Sequence, residues 1–360
     1  FAAVNLIMPF LMGISALGFM IGTGGSAIVA KTLGEGKTEK ANEYFSMLVY
    51  ITAIGGIIIA ILSMFLVKPV AILFGANGAL LDNCILYGRI LCISLPAFML
   101  QNVFQSFFVT AEKPHLGLRV IVIAGVTNMV LDFLFVAVLH FGLPGAGFAT
   151  VCGEFIGGLF PLFYFGRKNS SLLKLRKTHF HGKILLKTCT NGSSELMTNL
   201  SSSIVNALYN MQLMKFAGED GVAAYGTIMY VNFIFVSIFL GYAIGGAPIV
   251  SYHYGAGNQD ELKNLFLKSI RLIGTWAVSL FVIAQLIATP LATLFVGYDH
   301  GLFALTRNGF RLYSFAFLIN GFNIYGSAFF TALNNGLLSA LISFLRTLVF
   351  QMAIVLLLPL

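Results

Sequence analysis

Ten apolar runs follow one another along this chain, each long enough to cross the roughly 30 Å hydrocarbon slab of a bilayer as a helix. They run from Asn5 to Ala30, Tyr44 to Val67, Asn83 to Ala111, Val120 to Leu139 and Leu143 to Phe165, then from Thr188 to Met214, Val222 to Tyr252, Leu272 to Phe295, Leu312 to Leu333 and Leu337 to Leu360. The ten-residue alternation of a membrane β-barrel is absent, so strands are excluded in favour of an all-α membrane protein. Charge agrees. Lys, Arg, Asp and Glu make up 9% of 360 residues, against about 25% in a soluble chain. So few charges cannot keep a chain of this size in water. Cys84, Cys92, Cys152 and Cys189 lie in apolar runs without metal-ligand spacing and read as core residues.

The few charges have a pattern. Of 21 basic residues, sixteen fall in alternate joints: Lys31, Lys37, Lys40, Lys113, Arg119, Lys263, Lys268, Arg271, Arg346, and the stretch Arg167, Lys168, Lys174, Arg176, Lys177, Lys183, Lys187. The other joints and their flanks hold Lys68, Arg89, Lys215, Arg307 and Arg311. This asymmetry places the first set at the cytoplasmic face of a plasma membrane. The net charge of +8 then reads as attraction to acidic lipid, with no nucleic-acid partner. The stretch 167–187 reads as a solvated hinge. The chain opens and closes in apolar sequence without an initiating Met, which reads as a fragment.

An offset of 221 residues superimposes the two halves. Gly24-Gly25 falls on Gly245-Gly246, Gly34 and Gly36 on Gly255 and Gly257, Pro69 on Pro290, Asn102 on Asn323, and Thr110-Ala111 on Thr331-Ala332. The offset carries an even number of spans, so the repeat is parallel, with its axis along the membrane normal. The expected architecture is two pseudo-symmetric six-helix bundles, with ten of twelve spans present. Their bounds are 1–166, a basic linker at 167–187, and 188–360. Such a repeat leaves a cleft that suits alternating access.

Acids inside spans are the strongest functional signal, because each needs a partner, a proton or a cation. Asp132 has Asn128 one turn earlier on the same face. Their oxygens can hold a proton or a small hard cation such as Na+, and protonation and substrate binding can exclude each other there. Glu195 begins a polar stripe with Asn199 and Ser202. Glu154 reads as a coupling acid or a packed contact. Asn102 and Gln105 share one face of the third span, for either helix support or a direct role. Met211, Met214, Met229, Tyr209, Tyr225, Tyr230 and Phe233 offer adaptable apolar walls for amphipathic ligands. No phosphate loop, zinc-protease His pair or nucleophile elbow is present, and no enzyme or cofactor is expected.

Three segments in combination carry a family resemblance: GTGGSAIVAKTLGEGKTEKANEYF, TNMVLDFLFV followed by GLPGAGFATV, and YAIGGAPIVSYHYGAGNQDELKN. The chain resembles the multidrug and toxic compound extrusion (MATE) family over essentially its whole length, as helices 2 to 11. The resemblance implies export of amphipathic, often cationic compounds in exchange for H+ or Na+; the two-lobe cleft suffices within one chain, so a monomer is expected to function. It implies a site of Asp132, Asn128, Thr150 and an amide from Asn102 or Gln105, with an acid that would precede residue 1. Glu195 matches the seventh-helix acid of Na+-linked members. The tenth-helix acid has no counterpart between Arg311 and Thr331. The alternative is a lipid-linked precursor flippase of the same superfamily, for which more cationic residues in the central cleft are expected.

Overall fold

The computed structural model describes residues 2–357, and every regular element among them is helical. The first half comprises α1 (Ala2–Gly34), α2 (Thr38–Leu73), α3 (Gly78–Thr110), α4 (Pro114–Asp132), a π turn over Phe133–Val138, and α5 (Gly142–Gly166). The second half comprises α6 (Gly182–Gly255), α7 (Gln259–Val296), α8 (His300–Tyr313), a 3-10 turn at Ser314–Ala316, α9 (Phe317–Ala332), α10 (Gly336–Phe344), a π turn at Leu345–Val349, and α11 (Phe350–Leu357).

As one straight rod, the 74 residues of α6 would extend about 110 Å, several times the hydrocarbon thickness. Gly218, at φ 63° and ψ −152°, breaks it into two arms that Tyr209 and Tyr225 brace by stacking at 5.2 Å. Among the described residues nine helical stretches are long and apolar enough to span, and this break divides one of them. Ten spans result, as the sequence requires. The apolar pattern is inverted as a bilayer demands: α2 exposes Ile54, Ile57, Ile58, Ile61, Leu62 and Phe65 and buries Thr52 and Ser63.

The repeat is visible in backbone geometry. Gly36 and Gly257 both adopt left-handed φ, at 76° and 70°, where a Cβ would be strained. The turns after α3 and α9 share a second device. Glu112 and Asn334 take left-handed φ, and the next amides, from Lys113 and Asn335, donate to Phe108 and Phe330. Both are Schellman caps.

Helices α1 to α5 pack as one group and α6 to α11 as another, and α1 carries the main contact with α6. Part of that contact is symmetric. A Cβ on Gly34 would overlap the Tyr252 carbonyl, and one on Gly255 would overlap the Lys31 carbonyl. Residues 31 and 34 are related to 252 and 255 by the offset of 221. Each half thus presents equivalent positions to the other, the signature of a two-fold contact. Lys31 also sits over the Tyr254 ring at 5.0 Å, adding a cation–π attraction.

One expectation needs correction. The basic stretch is not a free hinge, because most of it is fastened to α2. The Lys174 amide donates to Asn42 Oδ1 at 2.6 Å, the Arg176 amide donates to Ser46 Oγ at 2.9 Å, and Thr178 Oγ1 donates to the Glu43 carbonyl at 2.9 Å. Leu173 is fully buried in a cluster with Phe45, Phe104, Phe107 and Phe165. Asn42 and Ser46 are themselves buried, so they need these partners, and the extended chain supplies them.

Two outcomes follow. Asn42→Val leaves the Lys174 amide without an acceptor, at about 1–3 kcal/mol, so tryptic cleavage at Lys174 to Lys177 should accelerate by about tenfold; unchanged cleavage contradicts the docking. Gly34→Val and Gly255→Val should each lower the apparent melting temperature by several degrees, from overpacking of about 1–3 kcal/mol. Gly245→Val, where an added Cβ meets open space, should not.

Candidate functional site

The first polar group forms where α3, α4 and α5 meet. Glycine allows the approach: a Cβ on Gly153 would lie 3.0 Å from the Ala124 carbonyl and 3.1 Å from the Asn128 side chain. With that seam closed, Asn128 Nδ2 donates to Thr150 Oγ1 at 3.4 Å, and Thr150 donates in turn to the Ala146 carbonyl at 3.1 Å. Asp132 lies one turn beyond Asn128, half-buried, and has no ion pair among the described residues. It is the last residue of α4, and the π turn begins at Phe133. A π turn displaces the following side chains from α register and is frequent at functional sites. Glu154, one turn after Thr150 on α5, is half-buried and lies against Ser94 of α3.

The α3 amides divide differently from the expectation. Asn102 is buried on the α1 side, where its Nδ2 donates to the Ser15 carbonyl at 3.4 Å. Gln105 is half-buried. The α3 amide that reaches α5 is Gln101: a Cβ on Gly157 would overlap its Oε1, and that oxygen is buried without a hydrogen-bond partner. Sequence reading missed it, although the neighbouring Asn102 was singled out. One residue is a rotation of about 100° on a helix, and no pattern in the chain says which amide turns to α5.

The second group lies in a cleft between the halves. Hydroxyls of Thr23 and Ser26 on α1 and Ser106 on α3 form one wall, and Glu195, Thr198 and Arg346 face them. Asn199 does not line this cleft. It is exposed and donates back to the Glu195 carbonyl at 2.8 Å.

Arg346 requires a second correction. The charge pattern places it in a cytoplasmic joint, yet it stands in the π turn Leu345–Val349, ten residues beyond the start of α10 at Gly336. That is about 15 Å into a span at 1.5 Å per residue, near mid-membrane. The repeat held the signal, since the offset of 221 places Arg346 on Gly125, inside the fourth span.

A third node ties the halves together. Asn191 Nδ2 donates to the Thr331 carbonyl at 2.9 Å and reaches the Gly24 carbonyl at 3.5 Å, so one buried amide touches α1, α6 and α9.

Comparisons with known proteins agree on what this arrangement belongs to. The MatE family model matches residues 1–134 and 196–357. The multidrug export protein MepA of Staphylococcus haemolyticus is 24% identical over 264 residues, covering 73% of this chain and 58% of that protein. Its counterpart in Staphylococcus saprophyticus is 23% identical over 290 residues, covering 79% and 62%. The chain therefore spans about three fifths of the length of these relatives. Among solved structures, one described as the outward-facing conformation of a multidrug resistance MATE family transporter of the MOP superfamily has a TM-score of 0.91 at 25% identity, covering 97% of this chain and 78% of that one. The matched segments make up most of the chain, and this multi-pass membrane protein belongs to the MatE family.

Proposed function

We propose that the protein exports amphipathic, often cationic compounds across the plasma membrane by alternating access, coupled to inward movement of H+ or Na+. The observation that carries this reading is Asp132. It is half-buried inside a span without an ion pair among the described residues, with the Asn128–Thr150 bond one turn away and a π turn directly after it. An acid so placed, with no ion pair among the described residues, attracts a cation or takes a proton. A cationic substrate and the coupling ion then compete for one carboxylate, and export needs that exclusion. Asn128 and Thr150 orient the site, and Asn102 acts by holding α3 to α1. The side chains here need no resident cofactor, and one chain contains the cleft. Surrounding lipid and small amphipathic molecules are its partners.

The symmetric contact of Gly34 with Tyr252 and Gly255 with Lys31 supports the same reading. It lies at the face that carries the basic joints, the cytoplasmic one by the positive-inside rule. The cleft is then shut towards the cytoplasm, and transport requires that contact to part and re-form.

A second reading, translocation of lipid-linked precursors, is favoured by one observation: Arg346 in the cleft offers a guanidinium to a phosphate. Both readings meet in proteoliposomes, where efflux of a fluorescent cation is followed under pH and Na+ gradients imposed separately. Antiport predicts efflux that collapses without one of the gradients. Asp132→Asn should reduce it at least tenfold with expression retained, and Asn128→Ala or Thr150→Ala by a few-fold, as expected for one hydrogen bond of about 1 kcal/mol. Gradient-independent efflux, or full activity in Asp132→Asn, contradicts the coupling. Movement of a labelled lipid-linked precursor in the same vesicles would select the second reading.

A further inference from the structure

The cleft between the halves contains two opposite charges that do not meet. Glu195 and Arg346 line the same narrow cavity and lie close enough to attract each other. Yet the ion pairs among the described residues are Lys37–Glu35, Arg176–Glu39 and His181–Glu43, none of them in this cleft. Arg346 is poorly answered by its own surroundings. Its Nε has one long contact of 3.4 Å with Thr347, and its Nη1 is buried without a partner. A guanidinium near mid-membrane carries a substantial penalty unless its donors are used.

The distance between these charges is held by a chain of hydroxyls. Ser194, beside Glu195, reaches Thr331 at 3.4 Å; Thr331 reaches Ser339 at 2.8 Å; Ser339 reaches Ser327 at 2.9 Å; and Ser327 reaches Ser343 at 2.8 Å, one turn before Arg346. The chain crosses from α6 to α9 to α10, so both charges stand on one braced frame. The facing wall, from α1 and α3, contributes Thr23, Ser26 and Ser106 and no charge. A frame that holds an acid and a base apart, opposite neutral hydroxyls, is complementary to a ligand carrying both signs.

We propose that Glu195 and Arg346 form a two-charge receptor for zwitterionic amphipaths, with Arg346 taking a carboxylate and Glu195 the cationic end. The planar fork of Arg346 matches a carboxylate bidentately. The ligand answers both charges at once, so it is accepted where a lone anion would leave Glu195 unanswered and a lone cation would leave Arg346 so. This widens the substrate class beyond cations and rests on the transport reading above.

The test uses a matched pair of dyes, rhodamine B and its ethyl ester, which differ by one carboxylate. Binding to the purified full chain is read by fluorescence anisotropy as the ratio of the two dissociation constants. The wild-type protein should favour rhodamine B by at least about fivefold, and Arg346→Gln should bring the ratio to about one. Arg346→Lys, which keeps the charge but loses the fork, should retain part of the preference. Because Arg346→Gln leaves Glu195 alone, the neutral double variant Glu195→Gln with Arg346→Gln supplies the same reading if the single variant does not elute as a monodisperse peak. A wild-type ratio near one overturns the proposal, as does a ratio unchanged in Arg346→Gln or the double variant. Gradient-driven efflux of the ester tests transport separately: its loss with the binding preference intact counts against the transport reading and not against the receptor.

Discussion

A charge inside hydrocarbon must be answered by something, and this chain is organised around how it answers three acids and one base. Water is excluded from the slab, so a side chain there is matched by a helix neighbour, a bound ion or a ligand. Glu154 lies against Ser94. Glu195 and Arg346 line one wall of a cleft without forming an ion pair. Asp132 has no ion pair among the described residues. These differences divide the molecule into a scaffold and two sites. The Asp132 site lies within the first half, and the Glu195–Arg346 site lies between the halves.

Close helix approach makes the arrangement possible. Small residues let backbones meet where the apolar effect gives helices no reason to associate. Gly153 brings α5 to α4, Gly157 and Gly158 bring it to α3, and Gly34 and Gly255 bring the two halves together at one membrane face. The last pair matters most for transport, because repeat-equivalent positions of the two halves meet there through non-covalent contact alone. The two-fold contact places a glycine of each half against a backbone carbonyl of the other. The linker is fixed along α2 up to His181, whose amide donates to Met47 Sδ at 3.1 Å and whose ring packs edge-on against Tyr44, so relative motion of the halves carries the linker with the first half.

Much of this was legible in the sequence. Run length and sparse charge gave ten spans, and the offset of 221 anticipated matching left-handed glycines at 36 and 257. The spacing of Asn128 and Asp132 put them on one face of α4. What escaped depended on helix rotation and on long-range partners. Arg346 reads as joint punctuation because charges elsewhere mark joints, although the repeat places it inside a span. Gln101 and Asn102 differ by one residue, and only the neighbour helices decide that Gln101 meets α5 while Asn102 meets α1. The linker docking rests on Asn42 and Ser46, which look like ordinary polar residues in the first turns of a helix until residues more than a hundred positions later pair with them.

The central claim is competition at Asp132 between a cationic substrate and the coupling ion. By linkage, each must weaken the other equally. The most direct measurement is ion displacement on binding: tetraphenylphosphonium is titrated into purified protein in weak buffer, with released H+ followed by a pH dye and released Na+ by radiotracer. The account predicts that about one H+ or Na+ leaves per cation bound, and that Asp132→Asn abolishes the release. Saturable binding with neither ion displaced would contradict it.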